Sequence, residues 1–274
     1  MNIRMNNKSI DAINDISIQK QKDFSKQFFK KSQDEKIQEH NILKHRYPYF
    51  GNVETIVDGY QISLFSVNDD VVAWNLFWLG EYEKTLIDEW VNILNSDQDG
   101  ICLDIGSYTG YYSLIAGKFG RKSHAFEIVP RTVERLKINV ILNQLQDLVT
   151  IHGYGVSNRT HSVSLNMPRK ADFLGTGNSI DKKLNVEKVD TTICMVRDFS
   201  NIDTGNDKIV GIKIDVEGHE FNVLESIESI LKMYKPSIII EVMPETKDQC
   251  FELLTKIGYR IKQLKGLNYL AKLY

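Results

Sequence analysis

Glycines and acidic residues follow two successive apolar runs, and together they could hold a nucleoside. Asp104 lies at the carboxyl end of the run 101–105, and Gly106 and Gly110 bracket the turn behind it. Such glycines adopt backbone angles that other residues resist, and they let a ligand lie against the main chain. Glu127 ends the next apolar run, where a carboxylate can accept two hydrogen bonds from ribose hydroxyls. The spacing therefore predicts a nucleoside-binding turn.

The same turn lacks the glycine patterns that bind phosphate groups. A dinucleotide site requires G-x-G-x-x-G, so that a pyrophosphate can rest on the N-terminus of a helix. Here Tyr111 and Tyr112 follow Gly110 and crowd the place where a pyrophosphate would approach. The P-loop pattern G-x-x-x-x-G-K-[ST] is absent from the chain. D-x-G-x-x-x-G followed by a ribose acid instead resembles the first motif of class I S-adenosylmethionine (SAM) methyltransferases.

A second group of ionisable residues surrounds the end of the fourth predicted strand. Lys213, Asp215 and Glu217 lie on the same side of an extended chain, and His219 and Glu220 follow directly. A helix N-terminus would explain one or two of the carboxylates, but an amine inside a strand needs a partner to be buried. Ligands bind at the carboxyl ends of strands in open α/β sheets, so we expect this group to be functional.

The string K-x-D-x-E-G-x-E at residues 213–220 makes the resemblance more specific. Together with the strings LDIGSYTG, AFEIVP, GVSN and IIIEV, it is similar to the FkbM-type methyltransferase family over residues 75–245. FEIVP stands where the family commonly has F-E-P-x-P, and VRDF stands where it has a T-L-D-x-hydrophobic string. The resemblance implies a SAM-dependent O-methyltransferase that acts on a sugar or polyketide hydroxyl.

The motifs and the resemblance together predict roles for individual residues. The residues predicted to bind SAM are Asp104, Gly106, Ser107, Tyr108, Gly110, Tyr111 and Glu127. The residues predicted to act in catalysis are Lys213, Asp215, Glu217, His219 and Glu241. The resemblance adds Glu220 to this second motif.

Two catalytic routes are open at this point. A sugar hydroxyl becomes a good nucleophile when a base takes its proton or when a metal ion lowers its pKa. In the first route His219 or Glu217 is the general base, and Lys213 orients the carboxylates. In the second route Asp215, His219 and Glu241 bind a divalent Mg, Mn or Fe ion at the sheet edge. The two routes share residues, so the sequence does not separate them.

The sequence indicates the methyl acceptor less clearly than it indicates the nucleoside site. Aromatic residues are dense around the nucleoside motif: Trp74, Phe77, Trp78, Tyr82, Tyr108, Tyr111 and Tyr112. The irregular segment 166–192 is typical of a substrate lid, and its basic residues could meet the phosphates of a nucleotide sugar: Arg169, Lys170, Lys182 and Lys183. A solvated surface explains these basic residues at least as well. The expected soluble chain without a membrane anchor suits an activated precursor, so we expect a nucleotide sugar or glycan precursor as acceptor. The rival interpretations are a polyketide-like hydroxyl and an inactive SAM-binding interaction module.

The elements that must position these residues alternate between strand and helix. This alternation predicts an α/β protein with a doubly wound, mostly parallel seven-stranded sheet, the class I methyltransferase (Rossmann-like) fold. Its closing hairpin is predicted in YRIKQL and NYLAKLY, and long helices are predicted over 74–94 and 219–235. We expect an N-terminal helical and β extension over residues 1–75 and a SAM-binding domain over 76–274.

The composition indicates which binding partners and which cellular location to expect. Charged residues make up 26% of the chain with a net charge of -2, which predicts no nucleic-acid partner. No apolar run reaches the roughly 18 residues of a membrane span, and a signal-peptide pattern is absent, so a cytoplasmic location is expected. Cys102 and Cys250 are predicted to be buried reduced thiols. Amphipathic spacing at Ile13, Ile16, Phe24 and Phe28 predicts N-terminal helices that dock on the domain or on a second copy of the chain.

Overall fold

Helices and strands alternate along most of the described chain. The computed structural model describes residues 7–28, 42–43, 46–96, 99–168, 174, 189–205 and 207–273. The helices are α1 (Asn7–Phe28), α2 (Val71–Leu79), α3 (Lys84–Ser96), α4 (Tyr111–Lys118), α5 (Pro130–Leu142), α6 (Glu220–Ser226), α7 (Glu228–Tyr234) and α8 (Lys247–Ile257). The strands are β1 (Phe50–Val57), β2 (Tyr60–Val67), β3 (Ile101–Ile105), β4 (Ser123–Phe126), β5 (Val149–His152), β6 (Gly155–Val156), β7 (His161–Pro168), β8 (Val189–Arg197), β9 (Ile209–Ile214), β10 (Ser237–Glu241), β11 (Arg260–Lys265) and β12 (Asn268–Lys272).

A seven-stranded sheet forms the centre of the molecule. Its strand order is β11-β12-β10-β9-β3-β4-β5. Strands β10, β9, β3, β4 and β5 run parallel, whereas β12 pairs antiparallel with both β10 and β11. The chain order reverses between β3 and β9, which is where open α/β sheets bind ligands. The predicted doubly wound, mostly parallel sheet with a closing hairpin is confirmed.

Both faces of the central strands are buried, which explains why their sequences are apolar almost throughout. Alternate residues of β3 point to opposite faces: Leu103 packs with helices α6 to α8, and Cys102 packs with α3 to α5. Asp104 and Lys213 are register partners on β3 and β9, on the same face as Cys102. Two charged side chains therefore stand at the end of an otherwise apolar layer.

Two long predicted helices are broken in the structure. The segment 74–94 forms α2 and α3, because Gly80 ends α2 in the left-handed conformation with φ 74°. The segment 219–235 forms α6 and α7, which meet at Ile227. The segment 149–156, whose sequence VTIHGYGV predicts one strand, also divides, since β5 joins the large sheet while β6 joins a separate sheet of order β6-β8-β7.

Helix α1 packs through polar contacts against the segment that leads into β1. The side chains of Asn14 and Ser17 on α1 donate hydrogen bonds to the backbone oxygens of Phe50 and Pro48. Phe24 is buried as predicted, but Ile16 is 55% exposed, so the predicted apolar face is only partly correct. Phe28 lies outside the residues whose side chains are described.

Strands β1 and β2 form an antiparallel hairpin over α5. The backbone N–H groups of Ser63 and Phe65 donate to the side-chain oxygens of Asn143 and Asn139 on that helix. The predicted division at residue 75 falls inside α2, and the assignment of two domains stays a prediction. Cys102, Cys194 and Cys250 are free and buried. None of the helices in the described part is both long and apolar enough to cross a membrane.

Candidate active site

A cavity of about 290 Å³ opens at the carboxyl edge of the sheet, where β10, β9, β3 and β4 end. Its apolar and aromatic lining residues are Val71, Val72, Tyr82, Ile105, Tyr108, Tyr111, Tyr112, Phe126, Ile128, Val129, Val156, Leu165 and Val216. Its charged and polar lining residues are Glu83, Asp104, Ser107, Glu127, Lys213, Asp215, Glu217, His219 and Glu241. Gly106 and Gly155 complete the wall. Residues of both predicted motifs therefore meet in one cavity.

The glycine turn joins the two motifs. Gly106 has φ 81°, and a Cβ at this position would overlap the backbone oxygen of Asp215. Gly110 has φ 94° and begins α4, and a Cβ there would overlap the side chain of Leu136. Both positions require glycine for conformation and for space. Gly110 does not line the cavity, so its predicted role in binding SAM is indirect at most.

The carboxylate of Asp104 holds the helix that follows the glycine turn. This carboxylate accepts hydrogen bonds from the backbone N–H of Ser113 at 3.0 Å and from the Ser113 hydroxyl at 2.7 Å. Burial raises the pKa of Asp104 to about 6, although these bonds and nearby Lys213 lower it. The carboxylate thus anchors the first turn of α4, and it also borders the cavity.

Glu127 follows β4 and turns its carboxylate back toward the glycine turn. One oxygen accepts the backbone N–H of Tyr108 at 2.9 Å, and the other accepts that of Val129 at 2.7 Å. Burial raises the pKa of Glu127 to about 7, against the lowering effect of these bonds. The backbone N–H of Ile128 also acts on this carboxylate. A carboxylate has about four acceptor positions, so capacity remains for a hydroxyl of a ribose.

The remaining residues of the turn hold it in place. Tyr108 has φ 50°, and its hydroxyl accepts the backbone N–H of Val71 at 3.3 Å. The hydroxyl of Ser107 donates to the backbone oxygen of Phe126. Tyr111 is buried, with its ring edge-on to that of Tyr82. Ser107, Tyr108 and Tyr111 all line the cavity.

Lys213 is buried at the end of the cavity that lies away from Glu127. Its Nζ lies 3.1 Å from a carboxylate oxygen of Asp215 and 5.3 Å from the centre of the Tyr112 ring. Burial alone would lower the pKa of Lys213, but the carboxylates of Asp215, Glu83 and Glu241 raise it above the ordinary value. The amine is therefore a charged group held by acidic neighbours.

Asp215 and Glu241 form a carboxyl pair at the tips of β9 and β10. The two strands are parallel neighbours, and Asp215 is close enough to Glu241 to act on its pKa. Burial and the Asp215 carboxylate raise the pKa of Glu241 to about 8, while Lys213 acts in the opposite direction. The pair faces the cavity, so it can accept a proton from a group bound there.

The residues of the loop that follows β9 have different roles. Glu217 has φ 54° and lines the cavity. His219 is buried, with its Nε2 at 2.9 Å from the hydroxyl of Ser157. Glu220 is fully buried and does not line the cavity: it accepts the backbone N–H of Gly218 and the hydroxyl of Thr246. Glu220 thus fixes the loop rather than a ligand.

The predicted metal set is not gathered into a metal site. Within the described ranges, no group of three or more His, Cys, Asp or Glu side chains could hold a metal ion. Asp215 and Glu241 do meet, but a ring nitrogen of His219 is directed to Ser157 instead. The metal route therefore finds no support in this geometry.

Sequence reasoning missed Glu83. This residue lies in the turn between α2 and α3, with φ 47°, and its carboxylate accepts the Tyr112 hydroxyl at 2.7 Å. It also missed the contribution of β7, whose Leu165 covers the apolar end of the cavity. A signal for Glu83 existed only in its position directly before a helix.

The aromatic residues divide into two groups. Tyr82, Tyr108, Tyr111 and Tyr112 line the cavity as expected. Trp74, Phe77 and Trp78 do not, because they pack with Phe24 and Leu43 under α1. Of the lid predicted over 166–192, only its two ends and Leu174 are described, and its four basic residues lie outside the described part.

Comparisons with known proteins agree with the geometry. The family model for the methyltransferase FkbM domain matches residues 104–261, which is more than half of the chain. A curated relative, the uncharacterized protein MJ1452 of Methanocaldococcus jannaschii, is 29% identical over 83 residues. That match covers 30% of this chain and 32% of the relative, so the chain matches about a third of the relative's length.

Two solved structures are also similar. Methyltransferase FkbM from Methylobacillus flagellatus is 14% identical, with a TM-score of 0.45, over 74% of this chain and 55% of that chain. Precorrin-6y C5,15-methyltransferase from Geobacter metallireducens is 13% identical, with a TM-score of 0.42, over 68% of this chain and 87% of that chain. The extent of the family-model match decides the classification: the chain belongs to the FkbM methyltransferase family.

Proposed function

We propose that the chain is a SAM-dependent O-methyltransferase that methylates a sugar hydroxyl. The observation that carries the proposal is one cavity with a ribose-type carboxylate, Glu127, at one end and the Asp215–Glu241 carboxyl pair at the other. When bound, SAM supplies an electrophilic methyl group on a positively charged sulfur. The other requirements, alignment of the acceptor and removal of its proton, fall to the protein.

The residues around Glu127 fit the adenosine part of SAM. Glu127 has acceptor capacity for the ribose hydroxyls, and Ile128, Val156 and Leu165 offer an apolar pocket beyond it. Gly106 packs directly against the backbone of Asp215, so the glycine turn lies next to the strand tip that carries the carboxyl pair. Asp104, Ser107, Tyr108 and Tyr111 support that turn, and we keep them in the proposed binding set.

The carboxyl pair is the proposed proton acceptor. The acceptor oxygen gains the methyl group as the carbon–sulfur bond breaks, and its proton passes to Asp215 or Glu241. We prefer this pair to His219, because His219 is buried and turns its Nε2 to Ser157. Lys213 holds the pair in place from below, and Glu217 borders the same end.

The charge of the cavity lining indicates which kind of acceptor group it suits. Carboxyl groups make up most of the charged part of the lining, and the amine of Lys213 already contacts Asp215. An uncharged sugar hydroxyl suits this environment, and the phosphates of a nucleotide sugar would have to lie outside the described lining. A nucleotide sugar or glycan precursor remains the proposed acceptor, with its sugar in the cavity.

Calorimetry and transfer assays test the proposal in two stages. SAM and S-adenosylhomocysteine (SAH) should both bind and raise the melting temperature. Labelled SAM is then incubated with neutral glycosides, nucleotide sugars and polyketide-like alcohols. Absence of binding by both ligands would refute the donor, binding without transfer would favour an inactive interaction module, and transfer only to polyketide-like alcohols would refute the sugar.

Two variants test the proton acceptor. Asp215→Asn and Glu241→Gln should lower transfer by about 10²- to 10⁴-fold, the usual contribution of a general base, while SAH still binds. Asp88→Asn, an exposed change on α3, is the matched control. Transfer at the control rate in both variants would exclude the carboxyl pair and return the role to His219.

A further inference from the structure

The cavity wall carries an excess of negative groups. Its carboxyl side chains are Glu83, Asp104, Glu127, Asp215, Glu217 and Glu241. Among the described residues of the wall, Lys213 is the one lysine or arginine, and its Nζ lies 3.1 Å from Asp215. Even with some of these carboxyl groups protonated, negative charge predominates.

The negative groups are unevenly placed. Glu127 stands beside the apolar pocket and already accepts two backbone N–H groups. Glu83, Asp215, Glu217 and Glu241 instead belong to the reacting end, where the carboxyl pair lies. A ligand with its ribose at Glu127 would carry its sulfur along the sheet edge toward β9. The charge at the reacting end therefore acts on the part of the ligand that changes during the reaction.

Glu83 reaches this end from a different layer of the molecule. Its own backbone oxygen accepts the N–H groups of Leu86 and Ile87, so it begins α3. Its φ of 47° is uncommon for a residue with a side chain, and such strain persists where the surroundings fix it, often at functional sites. The conformation turns the carboxylate into the cavity, where the Tyr112 hydroxyl donates to it at 2.7 Å.

We propose that Glu83 is a specificity-determining residue that makes the reacting end favour the positively charged sulfonium of SAM over the neutral thioether of SAH. The inference rests on the proposed function. Methyl transfer removes the positive charge from the sulfur, and the attraction to Glu83 and the carboxyl pair ends with it. The same residue thus favours donor binding before the reaction and product release after it.

Calorimetry on the full chain compares the dissociation constants of SAM, SAH and an analogue that carries an ammonium in place of the sulfonium. We expect the two cationic ligands to bind about three- to thirtyfold more tightly than SAH, the range for a charge several ångströms away at intermediate dielectric. Glu83→Gln removes the charge but keeps an oxygen for the Tyr112 hydroxyl, and it should reduce this ratio at least threefold. Glu81→Gln removes the same charge from an exposed position in the same turn and should leave the ratio unchanged.

The outcomes separate the two proposals. If neither SAM nor SAH binds, the proposed function fails. If both bind but SAH binds as tightly as SAM, or if Glu83→Gln keeps the wild-type ratio, the role of Glu83 is refuted while the proposed function stands. If Glu83→Gln does not fold, Glu83→Asn is used, because asparagine also removes the charge and tolerates the positive φ of this position: a reduced ratio supports the role, and the wild-type ratio refutes it.

Discussion

The two ends of the cavity are built in different ways. The ribose end, which is the part of the cavity around Glu127, consists of neighbouring loops. The carboxylate of Glu127 accepts hydrogen bonds from backbone N–H groups there. The reacting end consists of side chains from distant segments, Glu83, Lys213 and Glu241, whose charges hold one another. One end is fixed by the main chain, and the other is fixed by electrostatics. We therefore expect the first to be sensitive to shape and the second to be sensitive to charge.

Backbone contacts between the tips of β3 and β9 join the two ends. The N–H of Asp215 donates to the backbone oxygen of Ile105 at 2.9 Å, and Gly106 lies directly against Asp215. This contact brings the tips of β3 and β9 together, so a change here reaches both halves of the cavity.

Gly106→Ala should have the largest effect. The added methyl group would overlap the Asp215 oxygen, and the residue would also bear the cost of a left-handed backbone. We expect a loss of about 3–5 kcal/mol in the free energy of unfolding, together with loss of SAH binding. Gly120→Ala is the control, because Gly120 has a similar φ of 75° with nothing within 4 Å of the added atom.

Denaturant unfolding of both variants separates the cost of the overlap with Asp215 from the cost of the left-handed backbone. The control should lose only about 1–2 kcal/mol, the cost of the left-handed conformation. Equal losses in the two variants would mean that conformation alone matters and that the junction of the two ends is not tight.

The ribose end was predictable because its information is local. Gly106, Gly110 and Glu127 belong to one strand, turn, helix and strand unit, and the spacing of their types indicated their positions. The order of the sheet was predictable for a similar reason, since parallel strands with intervening helices allow few arrangements. Asp215 and Glu241 could be expected to meet only because that order makes β9 and β10 neighbours.

The reacting end was less predictable because its contacts are long-range. The hydrogen bond between Tyr112 and Glu83 joins residues 29 positions apart. The helix breaks at Gly80 and Ile227 were missed because the apolar period continues across both positions, while packing of the two halves decides where the helix ends. His219 stood in a motif, but its neighbour Ser157 directly follows β6, and this pairing decides its orientation.

Glu127→Gln should have the next largest effect and should be confined to binding and the ribose end. The amide keeps one acceptor oxygen, so one of the N–H groups of Tyr108 and Val129 loses its partner. We expect SAH binding to weaken by about 10- to 100-fold, from the loss of a ribose hydrogen bond to a charged group. Glu134→Gln, exposed on α5, is the matched control in the same calorimetric experiment. Unchanged affinity in Glu127→Gln would place the ribose elsewhere.

The pH dependence of binding gives a smaller but sharper test of Glu127. Burial raises its pKa to about 7, so most of the carboxyl groups are protonated at pH 6 and ionised at pH 8. SAH affinity should rise about tenfold between these values, because the ionised form accepts the ribose hydroxyls. The same slope in Glu127→Gln would assign the titration to another group.

The stability of the free protein should change in the opposite direction. The pKa of Glu127 is raised in the folded state, so the contribution of this carboxyl is fully present below its ordinary pKa of 4.5. That contribution is lost as the pH rises through about 7. Denaturant unfolding between pH 5 and pH 8 should show a smaller decline in Glu127→Gln than in the wild-type chain.

Thr246→Val should have the smallest effect and should be confined to the reacting end. The hydroxyl of Thr246 donates to Glu220, whose other oxygen accepts the Gly218 N–H and so fixes the loop that carries Glu217. Loss of one such bond should cost about 1–3 kcal/mol of stability, whereas SAH affinity should stay within about twofold because Glu127 is not touched. Thr255→Val, exposed on helix α8, which begins directly after Thr246, controls for the substitution itself. A large loss of SAH binding in Thr246→Val would mean that the loop behind β9 also shapes the ribose end, and the contrast between a backbone-fixed half and a charge-fixed half would no longer hold.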